Sequence, residues 1–181
     1  MAELHVLGTL HGARSSDGSA FVGASGLACR WTIMTGNAWT VVEGASSAQT
    51  QVDIPADGEW AVWSHPIGWP KLAIEVLRQD MFGRYQLFGY GVMSIPMTAG
   101  THRLECPIWR PHRSWMDSLK ATFLGTAVGL KSLDLLVSSA DRYQLTTVPI
   151  PCTVFAEVTV VHRGFAQNGL HLQGRNNRPP S

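Results

Sequence analysis

The feature that most constrains this chain is a period-two alternation of apolar and polar residues, recurring along most of its length. Over residues 27–34, Leu27, Cys29, Trp31 and Ile33 share one face, while Arg30 and Thr32 share the other. Over 71–78, Leu72, Ile74 and Val76 point one way and Glu75 the other. Over 152–163, Val154, Val158 and Val160 oppose Glu157 and Thr159. Successive side chains of an extended chain leave on opposite sides, so this spacing predicts half-buried strands. Less regular runs predict further strands at 4–10, 38–43, 59–64, 86–95, 101–106, 130–137 and 141–148. Ser16-Asp17-Gly18, Pro55-Ala56-Asp57-Gly58 and Thr98-Ala99-Gly100 supply turn chemistry between them. Many short strands at this spacing predict an all-β fold, an antiparallel sandwich.

One segment departs from the alternation. Ser114-Trp115-Met116-Asp117 has the form of a capping box, with Asp in place of the longer Glu or Gln. Trp115, Leu119 and Phe123 then recur every four residues, and Gly125 supplies a stop. The spacing predicts a short helix over 114–124, inserted between strands. Its apolar stripe either covers an open end of the sandwich or faces a partner.

The 181 residues suit one domain with its own core. That domain is expected over 1–163. Beyond Glu157 there is no acid, and Arg163, Arg175 and Arg178 sit among Gly, Asn and Pro. Residues 164–181 therefore read as a polar, basic, disordered tail, the alternative being contact with an acidic partner. Charged residues make up 15% of the chain, against about 25% in an ordinary domain. Sparse charge leaves more neutral surface outward, which is a pointer to a protein interface. A net charge of +1 excludes a global field that would draw in nucleic acid or an anionic membrane. Cys29, Cys106 and Cys152 are odd in number and far apart, which suggests neither a disulfide nor a zinc framework; Cys29 and Cys152 fall inside apolar strand patterns and read as small core residues, which suits a reducing compartment. The start of the chain has no basic stretch followed by an apolar one, so no signal peptide is expected and an intracellular protein is.

Constellations that carry chemistry are not found. Gly23-Ala24-Ser25-Gly26 falls one residue short of a nucleophile elbow. Gly89-Tyr90-Gly91 lies inside a strand pattern and reads as a bulge. His102 and Glu105 would face opposite sides of a strand and could not share a metal. The 13 acids are spread singly. A non-enzyme without metal or cofactor is expected.

Residues 76–89, Val-Leu-Arg-Gln-Asp-Met-Phe-Gly-Arg-Tyr-Gln-Leu-Phe-Gly, resemble the strand–loop–strand of C2 domains, the calcium- and lipid-binding sandwiches. That family's loop reads D-x-D-x-F-x-x-x-D. Here Asp80 and Phe82 keep their places, but Arg78 and Gln86 stand where the outer acids belong. A calcium ion takes six to eight oxygens, several from carboxylates, and a guanidinium beside it is repulsive. No calcium site is expected, and Asp80 should pair with Arg78 or Arg84 instead.

A wider resemblance, from the N-terminus to about Arg163, is to the B9 domain family, C2-like sandwiches of the ciliary transition zone. It is carried by Trp39, Gln49-Thr50-Gln51-Val52-Asp53, Trp63-Ser64-His65-Pro66-Ile67, Gly68-Trp69-Pro70, Gln79-Asp80, Phe82-Gly83-Arg84, Gly100-Thr101-His102, Cys106-Pro107-Ile108-Trp109-Arg110-Pro111 and Asp141-Arg142-Tyr143. Family members have a longer stretch where Ile67 here abuts Gly68, so a loop is missing. The resemblance implies a scaffold subunit that binds other B9-domain proteins. The partners it implies are the first B9 domain-containing protein and Meckel syndrome type one protein, within a tectonic-like complex at the ciliary gate. Trp31, Trp39, Trp60 and Trp63 read as core. Trp69 and Trp109, next to turn signals, are with Arg110 and Trp115 the candidate interface residues, Trp and Arg being enriched at binding hot spots. Arg78, Met81, Phe82, Arg84 and Tyr85 form a candidate lipid-facing loop, the alternative function being a calcium-independent membrane-binding module.

Overall fold

The computed structural model describes residues 2–18, 21, 26–35, 39–55, 59–67, 71–111 and 147–169. Among these the alternating segments form eight strands: β1 Glu3–Ser15, β2 Gly26–Ile33, β3 Ser47–Gln49, β4 Trp60–Ile67, β5 Lys71–Gln79, β6 Tyr85–Ser94, β7 Gly100–Pro111 and β8 Thr147–Arg163. They join in the order β3-β2-β5-β6-β7-β8-β1-β4, and the neighbours pair antiparallel. The sheet curls on itself into two layers, β3-β2-β5-β6 and β7-β8-β1-β4, linked through the Tyr90–Trp109 pair of β6 and β7. The fold is a C2-like antiparallel β-sandwich.

The two inner faces meet in one core, to which each of β1, β2 and β4 to β8 contributes. The alternating residues land as spaced: Leu27, Cys29, Trp31 and Ile33 from β2, Leu72, Ile74 and Val76 from β5, and Val154, Val158 and Val160 from β8 are all buried in it. So are Cys106 and Cys152. Gly91 keeps β6 and β7 close, since a Cβ there would meet Cys106 Sγ at 2.5 Å and Ile108 Cδ1 at 2.8 Å. The expected bulge falls one residue before the Gly89-Tyr90-Gly91 triplet: the β5–β6 register shifts where Val76 pairs with Gly89 and Leu77 with Leu87.

The ends of the sheet are tied to one another. After the three residues of β3 the chain keeps running beside β2, where Cys29 N–H donates to Thr50 Oγ1 (2.9 Å). Leu27 and Asp53 exchange backbone hydrogen bonds of 2.7 and 2.8 Å. The Asp53 carboxylate then accepts the Val62 N–H of β4 at 2.9 Å, and Trp63 Nε1 of β4 donates to the Leu27 carbonyl at 3.2 Å. On its other side β4 pairs with β1 through a kink. The β1 register breaks between Leu10 and Gly12 against both β4 and β8, and Ser64 adopts a positive φ of 44°. Gly12 is required there, because a Cβ would collide with the Ala61 carbonyl.

Three expectations change. Residues 39–43 form no strand, and Val42 stands exposed. Val41 and Val42 are adjacent, so the segment has β-branched residues but no face of alternate side chains to bury. The packed unit also runs past Arg163. Phe165 is buried in the core, its ring stacked on His162 at 4.6 Å, and a 3-10 turn at Ala166–Asn168 ends on Gly169 with φ 68°. One large apolar ring in a polar stretch finds a site on the sandwich, so 164–169 is not a free tail. Trp60, assigned to the core, is half-buried and contacts Phe155 on the outside of the sandwich. The helix expected over 114–124, the strand over 130–137 and the start of that over 141–148 lie outside the described residues, as does the tail beyond 169.

Candidate functional site

The hairpin between β5 and β6 brings the loop candidates together. Asp80 follows the last residue of β5, Gln79, and turns its carboxylate into the loop. Oδ1 accepts the backbone N–H groups of Phe82 (2.8 Å) and Arg84 (2.9 Å), and Oδ2 accepts Arg84 Nε at 2.8 Å. Asp80 N–H also donates to the Arg84 carbonyl at 3.0 Å, and Gly83, at φ 77°, closes the turn by donating to the Asp80 carbonyl at 3.0 Å. The Arg84 N–H first, then the Arg84 guanidinium and the Phe82 N–H, hold the Asp80 carboxyl below its ordinary range. Of the two pairings open to Asp80, the structure forms the one with Arg84.

This clamp presents apolar side chains outward. Met81 is 81% exposed and Phe82 74%, and Tyr85 is also exposed. The Arg84 guanidinium sits 5.2 Å from the Phe82 ring centroid, and Arg78 lies 5.3 Å from that of Phe88. Partial burial lowers the Arg78 pKa from its ordinary value. Among the described residues no group of three or more His, Cys, Asp or Glu is placed to hold a metal ion. What this tip can do is offer two apolar side chains and cationic groups on a rigid turn.

The candidate interface residues do not gather in the same way. Trp109 is half-buried on β7 with its ring 5.8 Å from that of Tyr90, beside the buried Ala73. Arg110 is its exposed neighbour. Trp69 and Trp115 lie outside the described residues.

Residues 4–161 match the family model B9-C2, described as "Ciliary basal body-associated, B9 protein". The chain belongs to the B9 domain family. Proteins named B9 domain-containing protein 2 resemble it over almost their whole length: 46% identity in Rattus norvegicus and 43% in Homo sapiens, each covering 94% of this chain and 99% of the relative. B9 domain-containing protein 1 of Xenopus laevis is 28% identical over 100 residues, 49% of this chain and 50% of that protein. Among solved structures, the C2A domain of plant Extended Synaptotagmin 1 aligns at 12% identity with a TM-score of 0.38, covering 86% of this chain and 92% of that one. A B9 domain of this family has a role at the cilium, at its base, and the family is not a known enzyme family.

The B9 sandwich carries a further surface that sequence reasoning missed. On the outside of β8, β1 and β4, Phe155 and Trp60 meet with ring centroids 5.3 Å apart, on the same face as exposed Val62, Leu7 and Val161. A signal for it existed. Trp60 and Trp63 are an odd number of residues apart, so one strand cannot turn both rings to the same face.

Proposed function

We propose that this B9 domain is a non-enzymatic scaffold subunit of the ciliary transition zone. In this reading it sits on the cytoplasmic side within the tectonic-like Meckel syndrome complex and binds other B9-domain proteins, the first B9 domain-containing protein and Meckel syndrome type one protein. Through them it supports cilium assembly and the diffusion barrier. The observation that carries the reading is the state of the surface: large apolar side chains stand exposed, while nearby charges are taken up in pairs such as Arg103–Glu157 at 3.1 Å and Arg163–Glu3 at 3.5 Å. Such a surface suits contact with neutral protein better than recognition of a charged ligand. The likeness to B9 domain-containing protein 1 adds that two related sandwiches exist to be paired. The test is to mix the purified chain with the two proposed partners. Co-elution at micromolar concentration is expected, and separate elution of all three overturns the scaffold reading.

The hairpin tip favours a second reading, calcium-independent binding of a membrane surface. Met81 and Phe82 would enter the headgroup region, with Arg78, Arg84 and Tyr85 at its edge. Co-sedimentation with vesicles of phosphatidylcholine and phosphatidylserine, in chelator, tests it. Binding that Phe82→Asp abolishes supports this reading, and no pelleting of the unaltered chain removes it.

A further inference from the structure

The two outer faces of the sandwich differ. On the β2-β5-β6 side the outward-pointing Ala28, Ala73, Leu77 and Tyr90 are buried. On the β7-β8-β1-β4 side Leu7 is 69% exposed, and Val62 and Val161 are close to half exposed. The strand register places all of these on one surface: Val62 opposite Gly12, Gly12 opposite Phe155, Leu7 opposite Thr159 and His5 opposite Val161. Gly12 leaves no side chain on the middle strand, and there the rings of Trp60 and Phe155 meet across β1. The charges that border the patch, Arg103 with Glu157 and Arg163 with Glu3, neutralise each other within the face.

We infer that the outer face of β8, β1 and β4 is a docking surface for a sheet face of a different B9-domain sandwich. The inference rests on the scaffold reading and names its surface. Three properties point to that occupant. The Trp60 and Phe155 rings fill the space over Gly12, so the face has no groove there and fits another sheet better than a helix, which needs one. Arg14 opposite Trp60 and Glu105 opposite Phe155 add one charge of each sign to the two pairs, so the face sums to neutral and asks for a partner without a strong net charge. Four strands about 4.8 Å apart, about ten residues long at about 3.3 Å each, cover on the order of 600 Å². That approaches the roughly 800 Å² each partner gives to a standard interface.

The test uses the full chain carrying Leu7→Arg and Val62→Arg together, titrated with B9 domain-containing protein 1, with Val42→Arg as a control at an exposed apolar residue off this face. Both altered residues are exposed, so the thermal midpoint should hold; if the double arginine variant does not fold, Leu7→Ser with Val62→Ser takes the same measurement. The expected result is at least about tenfold weaker binding by the face variant and unchanged binding by Val42→Arg. Equal binding by the face variant and the unaltered chain overturns the inference and leaves the scaffold reading standing. No binding by the unaltered chain, either to B9 domain-containing protein 1 or to Meckel syndrome type one protein in the same titration, overturns both. Self-association of the unaltered chain in sedimentation, lost in the face variant, makes the occupant a second copy and overturns the inference of a different sandwich. Loss of vesicle binding by the face variant, with partner binding kept, overturns it as well.

Discussion

Two buried tryptophans show how much one hydrogen bond decides. Trp31 and Trp63 are both packed in the core, yet Trp63 Nε1 reaches the Leu27 carbonyl while Trp31 Nε1 is buried with no partner among the described residues. Exchange for phenylalanine removes similar volume from each. We therefore expect Trp63→Phe to cost about 1 kcal/mol more than Trp31→Phe, measured as the difference in urea unfolding free energy. A larger loss for Trp31→Phe would show that packing and not the indole bond sets the difference. Asp80 gives a prediction of a different kind. Its carboxyl is held below the ordinary value in the folded chain, so the tether is intact above about pH 3.9, the ordinary value, and is lost as pH falls through the lower folded one. Amide exchange at Phe82 and Arg84 should be slow at neutral pH, fast in Asp80→Ala, and should converge with the variant only at strongly acidic pH. That pairing was legible only as a choice between two arginines, because the sequence does not say which one the turn brings round.

Among the elements, long strands were legible and short or broken ones were not. β2, β5 and β8 have clean alternation in sequence, and the apolar side of each lies in the core, although Ala28, Ala73 and Leu77 on the other side of β2 and β5 are buried as well. β3 has three residues, too few for any period to show. β4 keeps its alternation through Ser64, so Trp60 and Val62 point out while Trp63 and Ile67 point in, although both tryptophans read as core from the sequence. The seam formed by Asp53 cannot be read locally at all, since it joins β2 and β4, segments remote in sequence. It is open to test. Asp53→Ala removes the acceptor of the Val62 N–H and should destabilise the fold by about 1 kcal/mol, with faster amide exchange at Val62. An unchanged exchange rate there would mean that β4 is held by β1 alone. Gly12→Ala should cost more, about 1–3 kcal/mol by chemical denaturation, because backbone and not a flexible side chain stands in the way of the added carbon.

For the whole molecule, the core collects three thiols that are far apart in the chain. Burial first, then the neighbouring Cys106 and Cys152, raises the Cys29 thiol well above its ordinary value; burial and Cys106 push Cys152 up to about 12. The unfolded thiols titrate near about 8.5, so the folded state binds more protons above that pH. The thiols' contribution to stability should thus be constant below about pH 8.5 and decline from there toward 12, seen as a thermal midpoint that falls over that alkaline range. At pH 8 a thiol reagent should label none of the three cysteines until denaturant is added; rapid labelling of the native chain would contradict the packing. The broad architecture and the core positions of Cys29 and Cys152 followed from strand patterning alone. Which outer surface stays open did not, because a period of two separates the sides of a strand without saying what covers each.

The tie between β2 and β4 bears on how the protein behaves in company. Chains held at high local density tend to stick by lending backbone edges to one another, and a stack begun in this way has no natural end. Here one terminus of the sheet is three residues long, and the other is kinked and partly occupied by an internal carboxylate. Runaway strand addition has little to start from, so a crowded neighbourhood at the cilium base should yield assemblies of limited size instead of fibres.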